Sequence, residues 1–313
     1  MKGLELCEKF YNECGRPMLE HDFGDVLPFC AVGVAGSGSE CLGYDDDVSR
    51  DHDFEPGFCI FLPDESVVDR RVSFELERAY ARLPREFEGF SRQSLAAVGG
   101  ARHGVIRMSE FFEAKTGKSD GALSLFDWIS VPEQALLEAV NGKVFYDAYG
   151  EFTKTRESLA YMPEDARLKK LASNLLALSQ AGQYNYPRCV GRGETGAACL
   201  AVNEFVLCVM HVIFLLNKRY MPYYKWSFCA LRELEIGSDV HTALEWLMSS
   251  PNGETETKEK TKSIESLCAT LGKELYRRGL LRCETADAEL MAYEVNSRIR
   301  DVALRNAHIL AAL

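Results

Sequence analysis

Residues 36–62 read GSGSECLGYDDDVSRDHDFEPGFCIFL, and this stretch decides the fold. It joins a glycine-serine turn at 36–39 to the triplet Asp51-His52-Asp53 and then to an apolar run at 58–62. Residues two apart on an extended segment point to the same side, so the carboxylates of Asp51 and Asp53 are predicted to face one point. Two carboxylates on one side, with room for water and phosphate oxygens on the other, suit Mg²⁺. The pattern therefore predicts a metal-dependent phosphate site beside a strand at 58–62.

The turn before this triplet has two possible registers. Gly38 and Ser39 are separated from Asp51 by eleven residues, whereas Gly36 and Ser37 are separated from it by thirteen. In either register, glycine lets backbone N–H groups approach a phosphate closely, and the serine hydroxyl adds a donor. The later pair is favoured, and the earlier pair remains an alternative.

The residues between the turn and the triplet have two possible roles each. The acidic run Asp45-Asp46-Asp47 is typical of a solvated loop, or it draws in a cation. Arg50 pairs with a neighbouring carboxylate or reaches a phosphate. His52 lies between the two aspartates, so on a strand it faces the opposite side and is predicted to be packed or hydrogen-bonded.

This arrangement resembles the nucleotidyltransferase superfamily, which includes DNA polymerase beta and the aminoglycoside nucleotidyltransferases. Those proteins combine a Gly-Ser or Gly-Gly turn, a short spacer and an Asp-x-Asp on the next strand. The string GSECLGYDDDVSRDHD at 38–53 is more similar still to one bacterial branch, the DUF4037 proteins. The similarity continues through Asp127-Trp128, 142–147 and 219–226, and it covers most of residues 28–235.

The resemblance implies an activity and a set of residues. Asp51 and Asp53 would hold Mg²⁺, which bridges the phosphates of ATP or another NTP. Gly38 and Ser39 would bind phosphate oxygens, and Lys225, in an aromatic-Lys-Trp element, would lie near the nucleotide phosphates. The implied reaction moves a nucleoside monophosphate to an unidentified small-molecule or macromolecular acceptor and releases pyrophosphate. The alternative is a nucleotide-binding regulatory protein on the same fold, with weak or no catalysis.

The chain departs from the superfamily pattern at the third carboxylate, which usually acts as the general base on a later strand. The corresponding strand, at 105–108, carries no acid. Glu110 and Asp127 are the fallback candidates, although each also suits a helix cap or the surface. The aromatic residues Tyr223, Tyr224 and Trp226 are interpreted as packing groups, with base stacking as the alternative.

A glycine-rich segment at 190–196 is the last motif with two interpretations. It carries Arg192 and Glu194, and it follows Arg188. It is either a phosphate-binding loop or, more simply, a loop that leads into a helix. No Gly-Lys-Ser/Thr follows it, so it is not a Walker element.

Composition narrows the class of protein. The chain has 313 residues, 47% of them apolar, and a net charge of −11. Because the chain carries excess negative charge, it is not expected to bind nucleic acid over an extended surface. The eleven cysteines form no Cys-x-x-Cys and are predicted to be reduced and mostly buried, without a zinc site. The apolar segment 205–216 is short and carries His211, so it predicts a buried helix and a cytoplasmic protein without a membrane span. Nothing in the sequence indicates an oligomeric state.

The pattern of elements predicts an α+β protein. Strands are expected near 29–34, 58–62 and 104–108, with an extended segment from 143. Helices alone are expected in the remainder, with a mobile polar loop at 249–258. We therefore predict a nucleotidyltransferase-like domain with a small mixed sheet at 1–155 and an all-helical bundle at 156–313.

Overall fold

The computed structural model describes residues 1–48, 54–92 and 103–313. The chain forms two compact units. Unit 1 comprises Met1–Leu123 and Gln134–Ala160, and unit 2 comprises Ser124–Glu133 and Tyr161–Leu313.

These units differ from the predicted division at two places. Residues 124–133 belong to unit 2, and residues 156–160 belong to unit 1. The division at 155/156 into a nucleotidyltransferase-like and a helical domain stays a prediction.

Six short strands and sixteen α-helices are described. The strands are β1 Ala31–Val34, β2 Cys59–Leu62, β3 Glu86–Phe87, β4 Phe90–Ser91, β5 Gly104–Arg107 and β6 Lys143–Asp147. The helices up to residue 160 are α1 Gly3–Phe10, α2 Arg16–Asp22, α3 Ser39–Leu42, α4 Arg70–Ala81, α5 Met108–Thr116, α6 Leu125–Ser130, α7 Glu133–Val140 and α8 Glu151–Ser158. The later helices are α9 Glu164–Leu178, α10 Tyr186–Gly191, α11 Thr195–Leu216, α12 Tyr224–Arg232, α13 His241–Ser249, α14 Glu254–Arg277, α15 Ala288–Asn296 and α16 Val302–Asn306.

Unit 1 is built on a four-stranded mixed sheet in the order β5-β2-β1-β6. β1 pairs antiparallel with both β2 and β6, whereas β2 pairs parallel with β5. All residues of β1 and β2 are buried, which explains why the central strands are continuous apolar runs rather than alternating ones. The sheet confirms the predicted small mixed sheet and the α+β class.

Each regular element of unit 2, whose backbone is described throughout, is a helix. α9 packs against α11 and α15, and its segment 166–178 is buried, including Lys169 and Lys170. Of the described helices, only α11 is long and apolar enough to cross a membrane, but 61% of its most apolar window is buried in the protein. Such burial is typical of the core helix of a soluble protein, and the cytoplasmic location stays a prediction.

Two helical regions of unit 2 differ from the sequence prediction. α14 begins at Glu254, so the second half of the predicted loop at 249–258 is helical. Lys260 stabilises this start because its ammonium is buried and donates to the Ser250 carbonyl (2.7 Å). The sequence pattern also predicts a helix from Thr285 to Leu310. It is interrupted between α15 and α16, where the Asp165 carboxylate accepts the N–H groups of Arg300 and Asp301.

Candidate functional site

Unit 1 contains a cavity of about 340 Å³ at the edge of the sheet where β1 ends and β2 and β5 begin. The turn after β1, the first residues of β2 and β5, and one face of α5 line it. The lining residues are Ala35, Gly36, Ser37, Cys59, His103, Gly104, Val105, Ile106, Phe111, Ala114 and Lys115. The cavity therefore opens beside the glycine-serine turn that the sequence singles out.

The turn is held by Asn141, which is the first of the two residues that connect α7 to β6. The Asn141 side chain accepts the Gly36 N–H (2.9 Å) and donates to the Gly36 carbonyl (2.8 Å). Asn141 is buried, and Gly36 has a φ of +114°, a conformation that favours glycine. Both peptide groups of Gly36 are thus fixed from one side chain, which gives the turn a defined shape.

The next residue, Gly142, reinforces the same turn. Its N–H donates to the Cys41 carbonyl at 3.0 Å, and its φ is +70°. A Cβ at this position would lie 2.0 Å from the Val34 carbonyl oxygen, so only glycine fits. The Arg156 guanidinium donates to the Asn141 carbonyl, which helps to hold residues 141 and 142 in place.

The structure distinguishes the two registers of the turn. Ser37 is exposed and lines the cavity, whereas Ser39 is half-buried and begins the short helix α3. Gly38 has a φ of +144° and permits the sharp change of direction between them. The phosphate-binding roles of Gly38 and Ser39 stay predictions, and the cavity lies beside Gly36 and Ser37.

The predicted metal ligands Asp51 and Asp53 lie outside the described residues, as do Arg50 and His52. Asp45, in the acidic run before them, is described and buried. Its carboxylate accepts the Gly3 N–H (2.7 Å) and lies 3.5 Å from the Lys2 ammonium. The interpretation of a wholly solvated acidic run is therefore wrong for Asp45, which fixes the start of the chain.

One wall of the cavity carries a histidine that the sequence analysis did not single out. His103 Nδ1 lies 3.4 Å from Glu55 Oε1, and the two side chains are 8% and 19% exposed. A Cβ on Gly57 would lie 2.3 Å from the same ring nitrogen, so the ring occupies the space that glycine leaves. Single His and Glu residues 48 positions apart give no local sequence signal.

Both fallback carboxylates serve as helix caps. Glu110 lies in the first turn of α5 and accepts the Arg107 N–H, at 3.4 Å. Asp127 accepts the Ser124 N–H (2.9 Å) in the capping box of α6, and it belongs to unit 2. Capping accounts for both residues without a catalytic role.

Lys225 lies in the first turn of α12, in unit 2, and its side chain is exposed. Its ammonium lies 5.0 Å from the centre of the Trp226 ring. Tyr223 and Tyr224 are 45% and 68% exposed, with ring centres 4.2 Å apart. The two rings pack against each other at the surface. Their interpretation as packing groups and the phosphate contact of Lys225 stay predictions.

The segment before α12 is held by Glu133. Its carboxylate accepts the Met221 N–H (3.1 Å) and lies 3.0 Å from His211 Nδ1. Ser130 and Glu133 have the spacing of a capping box, but the Ser130 hydroxyl donates to the Phe126 carbonyl and the Glu133 carboxylate has the distant partners above. A buried carboxylate with partners 78 and 88 residues away cannot be inferred from local spacing.

The glycine-rich loop after α10 fits the simpler of its two interpretations. The Arg192 N–H donates to the Arg188 carbonyl, and the N–H groups of Gly193 and Glu194 donate to Val190 and Cys189. These donors close the end of α10 and are not available to a phosphate. The loop ends one helix and leads into the next.

Metal-ligating groups do not cluster in the described part of the chain. Across residues 1–48, 54–92 and 103–313, no group of three or more His, Cys, Asp or Glu side chains is placed to hold a metal ion.

Comparison with known proteins gives one family match. Residues 128–227 match the family model described as "Domain of unknown function (DUF4037)", which confirms the resemblance to that family over this segment. The match begins after the glycine-serine turn and includes Asn141 and Lys225. No curated protein matches the chain.

Among solved structures, the chain is similar to the crystal structure of a nucleotidyltransferase-like protein from Exiguobacterium sibiricum 255-15. The two share 12% sequence identity with a TM-score of 0.39, over 87% of this chain and 79% of the other. We transfer no residue role from so remote a likeness.

Proposed function

We propose that the chain is a magnesium-dependent nucleotidyltransferase that moves a nucleoside monophosphate from ATP or another NTP to an acceptor and releases pyrophosphate. One observation carries the proposal: the turn at Gly36-Ser37, clamped by Asn141, lines a cavity at the end of β1. A rigid, glycine-containing turn beside a cavity is a suitable support for phosphate oxygens.

In this proposal the turn contributes position and hydrogen bonds. The Gly36 N–H is already bonded to Asn141, and in this proposal the Ser37 hydroxyl, which lines the cavity, donates to a phosphate oxygen when the nucleotide binds. Gly38 and Ser39 extend the same turn and shape its exit into α3. Holding the phosphates in one orientation lowers the entropic part of the barrier.

The metal part of the proposal rests on the sequence. Asp51 and Asp53 would hold Mg²⁺, and carboxylate oxygens are the ligands that this cation prefers. When bound, Mg²⁺ neutralises the negative charge that develops on the transferred and leaving phosphates.

Calorimetric titration of ATP, with and without Mg²⁺, tests the proposal. We expect Asp51→Asn and Asp53→Asn each to abolish the Mg²⁺-dependent part of ATP affinity without unfolding the chain, because an amide is a neutral and poorer ligand. Asp25→Asn, at an exposed aspartate of unit 1, is the matched control and should bind ATP as the wild type does. If both the Asp51 and the Asp53 variants bound ATP with unchanged Mg²⁺-dependent affinity, these aspartates would not be the metal ligands.

Turnover separates the enzyme from the alternative of a regulatory nucleotide-binding protein. ATP labelled in the α-phosphate, offered with a panel of hydroxyl-bearing compounds, should yield a labelled AMP adduct and pyrophosphate. Tight MgATP binding without any labelled product would favour the regulatory alternative.

A further inference from the structure

Transfer of a nucleotidyl group to a hydroxyl releases a proton, and a group near the attacking oxygen must take it. The inference below rests on the proposed function. Among residues 1–48, 54–92 and 103–313, those that line the cavity include no aspartate or glutamate. The titratable side chains in the described lining are those of Cys59, His103 and Lys115.

Lys115 and Cys59 are poor choices for the proton acceptor. The Lys115 ammonium is engaged by the Glu138 carboxylate, and an ammonium has no lone pair to accept a proton. Cys59 carries a thiol, and the sulfur of a neutral thiol is only a weak acceptor. His103 remains as the candidate. It immediately precedes β5 and lines the same cavity as Gly36 and Ser37.

We propose that His103 is the general base of the reaction and that Glu55 is its positioning residue. With Nδ1–H directed at the Glu55 carboxylate, the neutral imidazole presents the lone pair of Nε2. The distance of 3.4 Å is long for a hydrogen bond, and contacts of this kind commonly tighten when substrate binds. A carboxylate behind the ring also stabilises the imidazolium that forms during transfer.

Gly57 gives the ring its place. Because a Cβ there would lie 2.3 Å from Nδ1 and 2.6 Å from Cγ of His103, the ring rests directly on the glycine backbone. The Glu55 carboxylate and the Gly57 backbone therefore both adjoin the Nδ1 edge of the ring and limit its movement. A fixed ring is what a proton acceptor needs, since small displacements of the base reduce the rate strongly.

The step balances in atoms and charge. The acceptor oxygen forms a bond to the α-phosphorus, and its proton passes to Nε2 of His103. The bond between the α-phosphorus and the oxygen that bridges to the β-phosphate breaks, and pyrophosphate leaves with that electron pair. The imidazolium then returns its proton to water or to the departing pyrophosphate.

The test uses the full chain with α-labelled ATP, Mg²⁺ and glycerol as a simple hydroxyl acceptor, counting AMP-glycerol and AMP as products. We expect His103→Ala to lower kcat by about 10²- to 10⁴-fold while the Kd for MgATP stays unchanged. Added imidazole should restore part of the kcat of His103→Ala, because it replaces the missing base in the space that the side chain leaves. His21→Ala, at a histidine whose side chain is 88% exposed, is the control and should keep the wild-type rate without any response to imidazole.

Two further variants test the positioning of the ring. Both variants keep the imidazole. Glu55→Gln removes the charged partner of the ring, and Gly57→Ala fills the space in which the ring lies. Both should lower kcat and leave MgATP affinity unchanged. A His103→Ala variant with wild-type kcat, or one whose lowered kcat does not respond to imidazole, would overturn the assignment and leave the nucleotidyltransferase proposal intact. Absence of labelled product from the wild-type chain would overturn both.

Discussion

Asn141 illustrates how one side chain can shape a candidate site. It holds the N–H and the carbonyl of Gly36 at once, at 2.9 and 2.8 Å. Asn141→Ala should remove both bonds and leave two buried polar groups unpaired, which costs about 1–3 kcal/mol of stability. It should also weaken ATP binding, because the turn loses its fixed shape; urea unfolding and calorimetric titration with MgATP measure the two effects.

Asn217 in unit 2 provides a matched control for this prediction. It accepts the Ile236 N–H (3.0 Å) and donates to the Ile236 carbonyl (2.8 Å), so it clamps one residue in the same way. Asn217→Ala should destabilise the chain to a similar extent without changing ATP affinity. Equal losses of ATP affinity in the two variants would show that Asn141 contributes stability alone.

The sequence indicated the turn but not the residue that holds it. A glycine-serine string is visible by eye, whereas Asn141 lies 105 positions away and has no local signature. The same applies to His103 and Glu55, which lie in contact just before the paired strands β5 and β2 begin. Local spacing therefore predicts the turn and the strands but not the long-range partners that complete a site.

At the scale of elements, the end of α14 is stabilised by charge. Hydrogen bonds from Arg277, followed by those from Arg278, lower the pKa of Glu274 to about 2 from its ordinary value of 4.5. Arg278 also donates to the Leu216 carbonyl (2.7 Å), which ties α14 to the end of α11. A depressed carboxyl pKa stabilises the fold above pH 4.5, and this stability is lost as pH falls toward 2.

Glu274→Gln should therefore be less stable than the wild type at pH 6. The difference in the free energy of unfolding between the two proteins should shrink by about 1–2 kcal/mol when the pH is lowered to 3. Urea midpoints across this range measure it. Glu254→Gln is the control, since Glu254 is 89% exposed and pairs with Lys258 only at the surface. A gap that stays constant with pH would contradict the assigned role of Glu274.

Element types were predictable wherever the pattern was strong, and boundaries were not. The apolar runs of β1 and β2 follow directly from burial. The start of α14 depends on the buried ammonium of Lys260, and the break before α16 depends on Asp165. Tertiary hydrogen bonds of this kind override local propensity, so single-sequence patterns miss them.

At the scale of the whole molecule, charge sets a condition on any nucleotide site. A net charge of −11 repels a triphosphate at long range, so local cations must offset it. The segment 205–232 has no acidic residue and contains the cations Lys218, Arg219, Lys225 and Arg232. It is therefore a stretch of unit 2 whose own side chains add no negative charge near an anionic ligand.

Lys225 is the cation of this segment that the resemblance assigns to nucleotide phosphates. The described structure gives its ammonium no carboxylate partner, and its described contact is the Trp226 ring. If it contacts the distal phosphates, Lys225→Ala should weaken ATP binding by about tenfold, the lower end for a hydrogen bond to a charged group, and leave AMP binding nearly unchanged. Calorimetric titration with both nucleotides in Mg²⁺ measures this, and Lys218→Ala, an exposed lysine seven positions earlier, controls for loss of charge alone. Two results would contradict a contact to the distal phosphates. One is that Lys225→Ala loses as much affinity for AMP as for ATP. The other is that Lys218→Ala loses as much affinity for ATP as Lys225→Ala does, which would mean that Lys225 acts through general charge.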